Sequence, residues 1–273
     1  MSDATQYEKT PRSTVNRLKQ RAVYDQETIR SIIDTSPILH VSFLPVHPSD
    51  DPFPTILPML GCFGAYTAPN AELQSAPAIY LHGHSASRFF KLPGNTSSWA
   101  AEEGLPGLPV CVAATHIDGL VLALTPFNHS SNYRSAVVHG YAQLVTDAAE
   151  KDYALTLITD NIVPERWANS RVPPTEAEMK TTSVIRVDVV SASAKVRAYT
   201  AGNDKADLED ESVVGKVWTG VVPMWTQYGE PVPAVENRVS RVPEHVARVI
   251  EERNAEGEQW AKDIATRKAP KKT

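Results

Sequence analysis

A chain of 273 residues is long enough to bury a sizeable core without a metal or a disulfide staple, as one β-rich domain or two smaller ones. Its formal net charge of −5 lacks the basic excess of a general nucleic-acid or anionic-membrane binder, so the expected partners are small molecules, with no nucleic acid and no membrane. Twenty-one prolines against thirteen glycines imply numerous loops and short elements and argue against an all-helical bundle. Cys62 and Cys111 lie in apolar segments and read as buried free thiols. Residues 1–21 hold no apolar leader, and no run reaches the ~18 apolar residues of a membrane span, so a soluble, cytoplasmic protein is expected.

Residues 1–20 read as a flexible N-terminus; the flexible look reaches residue 23, with Val15, Leu18 and Ala22 making at best a poor helix. Asp25 is a plausible N-cap for a short helix carrying Ile29, Ile32 and Ile33, and Leu39, Val41 and Phe43 then alternate with His40 and Ser42 as in a half-buried strand. The strand expected over residues 55–64 contains Pro58, Gly61 and Gly64, which mark it as an edge, bulged, or closely approached by something flat. Residues 77–81 form the next strand and 85–92 a short helix. Residues 110–115 and 120–124 read as a hairpin about an Asp118-Gly119 turn.

A long strand over residues 133–145 follows. Asp147 with Glu150, and Thr175 with Glu178, signal helix starts. The strict alternation over residues 183–190 is a strand that continues into 195–199, whereas the acidic run at 203–212 reads as a solvated loop. Trp218, Trp225 and Tyr228, set among glycines and prolines, suit a wall over a pocket or a subunit contact, and residues 243–264 are helical by pattern. Six or seven strands, several in consecutive hairpins, fit a closed or nearly closed antiparallel barrel.

Two stretches share one design. Tyr80-Leu81-His82-Gly83 runs into Ser87-Arg88, and Asn132-Tyr133-Arg134-Ser135 opens the long strand. Brought together, they would suit a phosphate with an aromatic ring system attached. A phosphate ester carries roughly 1.5 to 2 negative charges near neutral pH and matches the paired donors of arginine. Arg88 and Arg134, each beside a serine, are the candidates, with backbone amides of the helix after Gly83 as further donors. Taken singly, each arginine could instead pair with a surface carboxylate. Gly83-His84-Ser85-Ala86-Ser87 approaches a nucleophile elbow, but Ser87 replaces its second glycine. No metal-binding, dinucleotide or P-loop motif accompanies the histidines, so no metal site is expected.

At these residues the sequence resembles the pyridoxamine 5′-phosphate oxidase-related flavoproteins, the FMN-binding split-barrel superfamily, and within it the branch of nitroimidazole-resistance and flavin-nucleotide-binding proteins. The likeness rests on residues 79–83, Ser87-Arg88, 118–121, 129–135, 193–197 and 218–223. It implies a mainly β fold, a six-stranded antiparallel split barrel over residues 21–235 with a C-terminal helix and basic tail over 236–273. It further implies a homodimer with FMN at the subunit interface. Position by position, Ser87 and Arg88 would hold the phosphate, His82 and Gly83 would lie by the ribityl chain, and Pro58 and Met59 would border the ring. Tyr133, Arg134 and Ser135 would complete the site, and Trp218 would cover it. The arginine-rich C-terminal substrate motif of true pyridoxamine-phosphate oxidases has no counterpart. The implied activity is an FMN-dependent oxidoreductase acting on an unidentified small molecule, with NADH or NADPH as possible electron donors and no side chain assigned as catalytic. The alternatives are a non-catalytic flavin- or haem-binding protein, with His40, His82 or His129 as iron ligands, and a serine hydrolase at Ser85.

Overall fold

The computed structural model describes residues 6–67, 77–95 and 98–267. In chain order its elements are β1 (Ala22–Val23), α1 (Gln26–Asp34), β2 (Leu39–Phe43), β3 (Thr55–Met59), β4 (Gly61–Gly64), β5 (Ala78–His84), α2 (Arg88–Lys91), α3 (Trp99–Glu102) and β6 (Leu108–Leu122). There follow β7 (Ser130–Leu144), α4 (Ala148–Ile162), α5 (Glu176–Thr181), β8 (Thr182–Arg197), α6 (Lys205–Glu209), α7 (Glu211–Val214), β9 (Gly220–Pro223) and α8 (Glu244–Thr266). The chain divides into two units. The first takes the residues up to Ala114 with Ser135–Ala194, and the second takes Thr115–Arg134 with the residues from Lys195 on.

The strands form one sheet in the order β3-β2-β6-β7-β8-β5-β4, with β1 added on β8 and β9 on β6. The expected count of six is thereby corrected to nine among the described residues. The single strand expected over residues 55–64 is broken at Leu60 into β3 and β4, which occupy opposite ends of the sheet order. At Gly61 a side chain is forbidden, because a Cβ would stand 2.5 Å from the Tyr80 carbonyl oxygen. Since only Leu60 separates β3 from β4, the two ends of the sheet are covalently joined, as closure into a barrel requires. The other two additions, β1 and β9, are too short for a period of two to reveal.

The expected Asp118-Gly119 turn is also corrected, since β6 runs unbroken through it. Gly119 serves close approach: a Cβ there would meet Val221 Cγ1 at 2.9 Å and the Val222 carbonyl oxygen at 3.0 Å on the paired strand β9. Asp118 is buried, for a reason that belongs to the site.

Helix starts follow their caps. The Asp25 carboxylate accepts from Thr28 N at 2.7 Å, and Ile29, Ile32 and Ile33 bury the inner stripe of α1. Thr175 and Glu178 close a full capping box on α5. On α4 only half of the box forms. Asp147 accepts from Glu150 N at 2.7 Å, but the Glu150 carboxylate turns inward to accept from Tyr80 Oη at 2.8 Å and from Arg186 Nη1 at 3.2 Å. The acidic run expected to be a loop holds α6 and α7. The helix expected over residues 85–92 shrinks to the single turn α2, because the amides of Ser85 and Ala86 are taken by Thr181 O and His84 Nδ1.

In the first unit β5 is buried on both faces. Ile79 and Leu81 enter the main core with Phe43, Phe63, Phe89 and Val112, while Ala78 and Tyr80 pack under α4 with Ala154 and Ile158. Cys62 and Cys111 are free, and burial raises both thiols, that of Cys62 to about 12 with help from the charge of Asp34. Among the described residues no helix is long and apolar enough to cross a membrane.

Gly140 offers a test of this packing. A Cβ on it would fall 2.3 Å from the Asp188 carbonyl oxygen and 2.8 Å from Val187 Cγ1, so β7 and β8 approach more closely than any side chain allows. Gly140→Ala is expected to cost roughly 2 to 3 kcal/mol, read as a lowered urea midpoint. An unchanged midpoint would refute the close approach.

Candidate functional site

In the first unit a cavity of about 280 Å³ opens between the end of β3 and the turn that follows β5. Leu57, Pro58, Met59, Leu60 and Phe90 give it apolar walls; His82, Gly83, His84 and Ser87 supply the polar side. Five of the residues singled out in the sequence thus line one cavity: Pro58, Met59, His82, Gly83 and Ser87. The sequence does not single out Leu57, Leu60 and Phe90 as site residues, since apolar residues on a strand and a one-turn helix look like ordinary core, and it offers His84 only for a nucleophile elbow or a metal.

The site is held from below by aromatic packing. Phe89 stacks on Phe43 with ring centroids 4.7 Å apart and meets Phe90 edge-on at 5.5 Å, so α2 is fixed although it has only one turn. Gly83 makes this possible, because a Cβ on it would collide with Phe90 Cε2 at 2.5 Å. Its lack of a side chain therefore shapes the cavity wall through Phe90. Ser87 stands at the N-cap of α2 without a capping hydrogen bond from its side chain. Arg88 next to it is exposed and, among the described residues, makes no ion pair. The amides of Ser85, Ala86, Ser87 and Phe90 are all engaged within the chain, so the donors left at this end are the Ser87 hydroxyl, the Arg88 guanidinium and the amides of Arg88 and Phe89.

The histidines differ in what they offer. His82 lies in the cavity wall with Nδ1 unpartnered, and burial lowers its pKa, which keeps the ring neutral near pH 7. His84 accepts from Ala86 N through Nδ1 at 3.1 Å. His129, in the second unit, accepts from Ala123 N through Nδ1 at 2.9 Å. That bond occupies the lone pair of a neutral ring and leaves the proton on Nε2. His40 is exposed on β2 opposite Pro58.

Arg134 has a different setting. In the second unit its guanidinium is bidentate to Asp118, with Nε 3.0 Å from Oδ2 and Nη2 2.9 Å from Oδ1, and its Cζ lies 4.5 Å over the Trp260 ring. Asp118 has sunk into the second unit to make this pair. Two residues along β7, fully buried Asn132 accepts from Arg197. The charge of Arg134 is thus already balanced by a carboxylate, whereas that of Arg88 is not. Tyr133 is half-buried beside Arg134, and Ser135 begins the part of β7 that belongs to the first unit. Trp218 is 65 % exposed and lays its ring over Gly220, where a Cβ would meet Trp218 Cη2 at 2.6 Å.

An antiparallel sheet whose end strands are one interrupted segment, with a cavity at that interruption and helices at its periphery, defines a split-barrel protein. The chain belongs to the pyridoxamine 5′-phosphate oxidase family, which matches residues 25–196, more than half of its length. Among solved structures it is similar to the flavocytochrome Anf3 from Azotobacter vinelandii, at 28 % identity and a TM-score of 0.67 over 88 % of this chain and 96 % of that one. It is also similar to the FAD and haem binding protein from Mycobacterium smegmatis, at 25 % identity and a TM-score of 0.64 over 84 % of this chain and 96 % of that one. No curated protein matches the chain significantly.

Proposed function

We propose that this protein binds a flavin in the cavity of the first unit and serves as a redox carrier or oxidoreductase for a small molecule. The observation that carries the reading is the convergence of Pro58, Met59, His82, Gly83 and Ser87 on one cavity, with the guanidinium of Arg88, unpaired among the described residues, following Ser87. In this reading Ser87 and Arg88 hold the inner phosphate, which FMN and FAD share, and the apolar strip from Leu57 to Leu60 borders the ring. A flavin held there supplies hydride and single-electron transfer. Family membership supports a flavin, and the FAD named for the M. smegmatis relative sets FAD beside the FMN expected from the sequence. From the resemblance alone, Tyr133, Ser135 and Trp218 are further proposed to contribute to flavin binding. The charge of Arg134 is already balanced by Asp118, so in this reading the phosphate falls to Arg88. A homodimer, and NADH or NADPH as electron donor, complete the proposal. The test is purification followed by denaturing release of the chromophore. A yellow protein yielding FMN or FAD and bleached anaerobically by NADH or NADPH is expected; a colourless protein that takes up neither flavin overturns the reading.

A second reading, haem in addition to or in place of flavin, is favoured by one specific observation. Of the three histidines considered as iron ligands, His82 alone combines a neutral ring, an unpartnered nitrogen and a place in a cavity wall, which Met59 also lines. Both similar solved proteins carry names that point to haem. If this reading holds, protein titrated with haemin gains a sharp Soret band, and His82→Ala is expected to weaken haem uptake at least ~30-fold, while His129→Ala and His40→Ala leave it unchanged. An unaltered Soret titration for His82→Ala would refute it.

A further inference from the structure

We propose that residues 229–243 form a finger by which one copy of this chain grips the β2–β3 loop of a second copy. The base of the finger is fixed, since Tyr228 N donates to Asn254 Oδ1 at 2.7 Å and Asn254 Nδ2 returns a bond to Tyr228 O at 2.9 Å, tying Tyr228 to α8. From there to the start of α8 every residue is exposed, and the backbone hydrogen bond from Asn237 N to Ala234 O closes a turn at the tip. Val235 in that turn is 98 % exposed and Val232 beside it 90 % exposed, with Val239 and Val242 also exposed on the returning limb. A fifteen-residue connection without secondary structure is uncommon inside a compact unit and usually functional. A row of bare valines on such a connection marks a surface awaiting cover. Pro231, Pro233 and Pro243 restrict the finger before it docks, which lowers the cost of ordering it.

Charge selects the occupant. Both guanidinium groups of the finger, Arg238 and Arg241, follow the turn and alternate with the valines of the returning limb, while Glu230 and Glu236 precede Asn237. Among the described residues neither arginine has a carboxylate partner. The loop between β2 and β3 offers the opposite: Phe53 is 76 % exposed, with Ile56 exposed on β3 and the carboxylates of Asp50 and Asp51 beside them, neither paired to a cation among the described residues. An apolar cationic limb and an apolar acidic loop on the same chain are complementary between two copies, and each copy supplies both sides of the contact. This inference does not depend on the flavin; it adds a specific contact to the homodimer proposed above, and the charge-reversal and cross-linking arms test that contact apart from dimerisation itself. The finger also lies outside the residues matched by the family.

The test uses the full chain. Sedimentation of the wild type over a micromolar concentration series is expected to give a dimer. Arg238→Asp with Arg241→Asp is expected to weaken it about tenfold, and mixing that variant with Asp50→Lys, Asp51→Lys protein to restore it, circular dichroism confirming that each variant is folded. In a mixture of Val235→Cys and Phe53→Cys proteins, oxidation is expected to give a covalent dimer on a non-reducing gel. A Val235→Cys and Phe127→Cys mixture serves as the exposed control. A monomeric wild type, a charge reversal without effect, or cross-linking no greater than the control each overturns the proposal.

Discussion

Arg88→Glu is expected to yield protein purified without flavin, yet with an unfolding midpoint equal to that of the wild type. The two halves of this prediction rest on one fact: the guanidinium is exposed and has no partner of its own among the described residues. Removing it breaks nothing in the fold, so stability stays within the ~0.5 kcal/mol typical of surface positions. A charge-assisted pair with phosphate contributes roughly 1.5 to 3 kcal/mol, so Arg88→Ala is expected to weaken flavin binding on the order of 10- to 150-fold. Arg88→Lys should fall between, since a point charge cannot match two phosphate oxygens. Reversal to glutamate adds repulsion and exceeds the loss from alanine. The measurement is flavin fluorescence quenching on titration into apoprotein at two ionic strengths, because an exposed pair weakens as salt rises. If Arg88→Glu binds flavin as the wild type does, the phosphate lies elsewhere.

Asp118→Asn is expected to do the reverse, lowering stability with little direct effect on the cavity. Asp118 is 3 % exposed and accepts three hydrogen bonds from Arg134 within 3.3 Å. Without its charge the guanidinium stays half-buried against Trp260, with a cation–π contact in place of an ion pair. Breaking a buried pair from one side costs about 3 kcal/mol, which corresponds to a fall in melting temperature of roughly 6 to 12 °C in a protein of this size. The double variant Asp118→Asn, Arg134→Met is expected to recover most of that loss, because no uncompensated charge remains. A single variant as stable as the wild type would mean that the pair contributes little. The two arginines that look equivalent in the sequence differ in setting, one exposed beside Ser87 and proposed to hold a phosphate, the other paired with buried Asp118.

What the sequence could and could not disclose follows from the range of each interaction. Alternation over residues 183–190 and the caps Asp25, Asp147 and Thr175 are local signals, and the corresponding elements stand where they were expected. Asp118-Gly119 misled because the same dipeptide that makes a tight turn also serves a strand that must admit a neighbour; β9 and Arg134, both distant in sequence, decide between the two. The break at Leu60 depends on Tyr80 crowding Gly61, again a non-local contact. The cavity was legible in its polar half, since His82, Gly83 and Ser87 are unusual where a strand ends. Its apolar half was hidden among residues that pack cores everywhere. Glu150 was read as a capping partner, yet Tyr80 and Arg186 draw its carboxylate away, a competition invisible without coordinates.

Trp260 lies on α8, some sixty residues past the end of the stretch that the family shares, and still forms one face of the setting of Arg134, which falls inside that stretch. A shortened protein ending before α8 would keep every residue by which the family is known, yet strip one wall from the guanidinium next to Tyr133. The segment matched by the family therefore lacks one face of the setting of its own Asn-Tyr-Arg-Ser motif, and residues 25–196 expressed alone are expected to keep the pair of Arg134 with Asp118 but not the contact with Trp260.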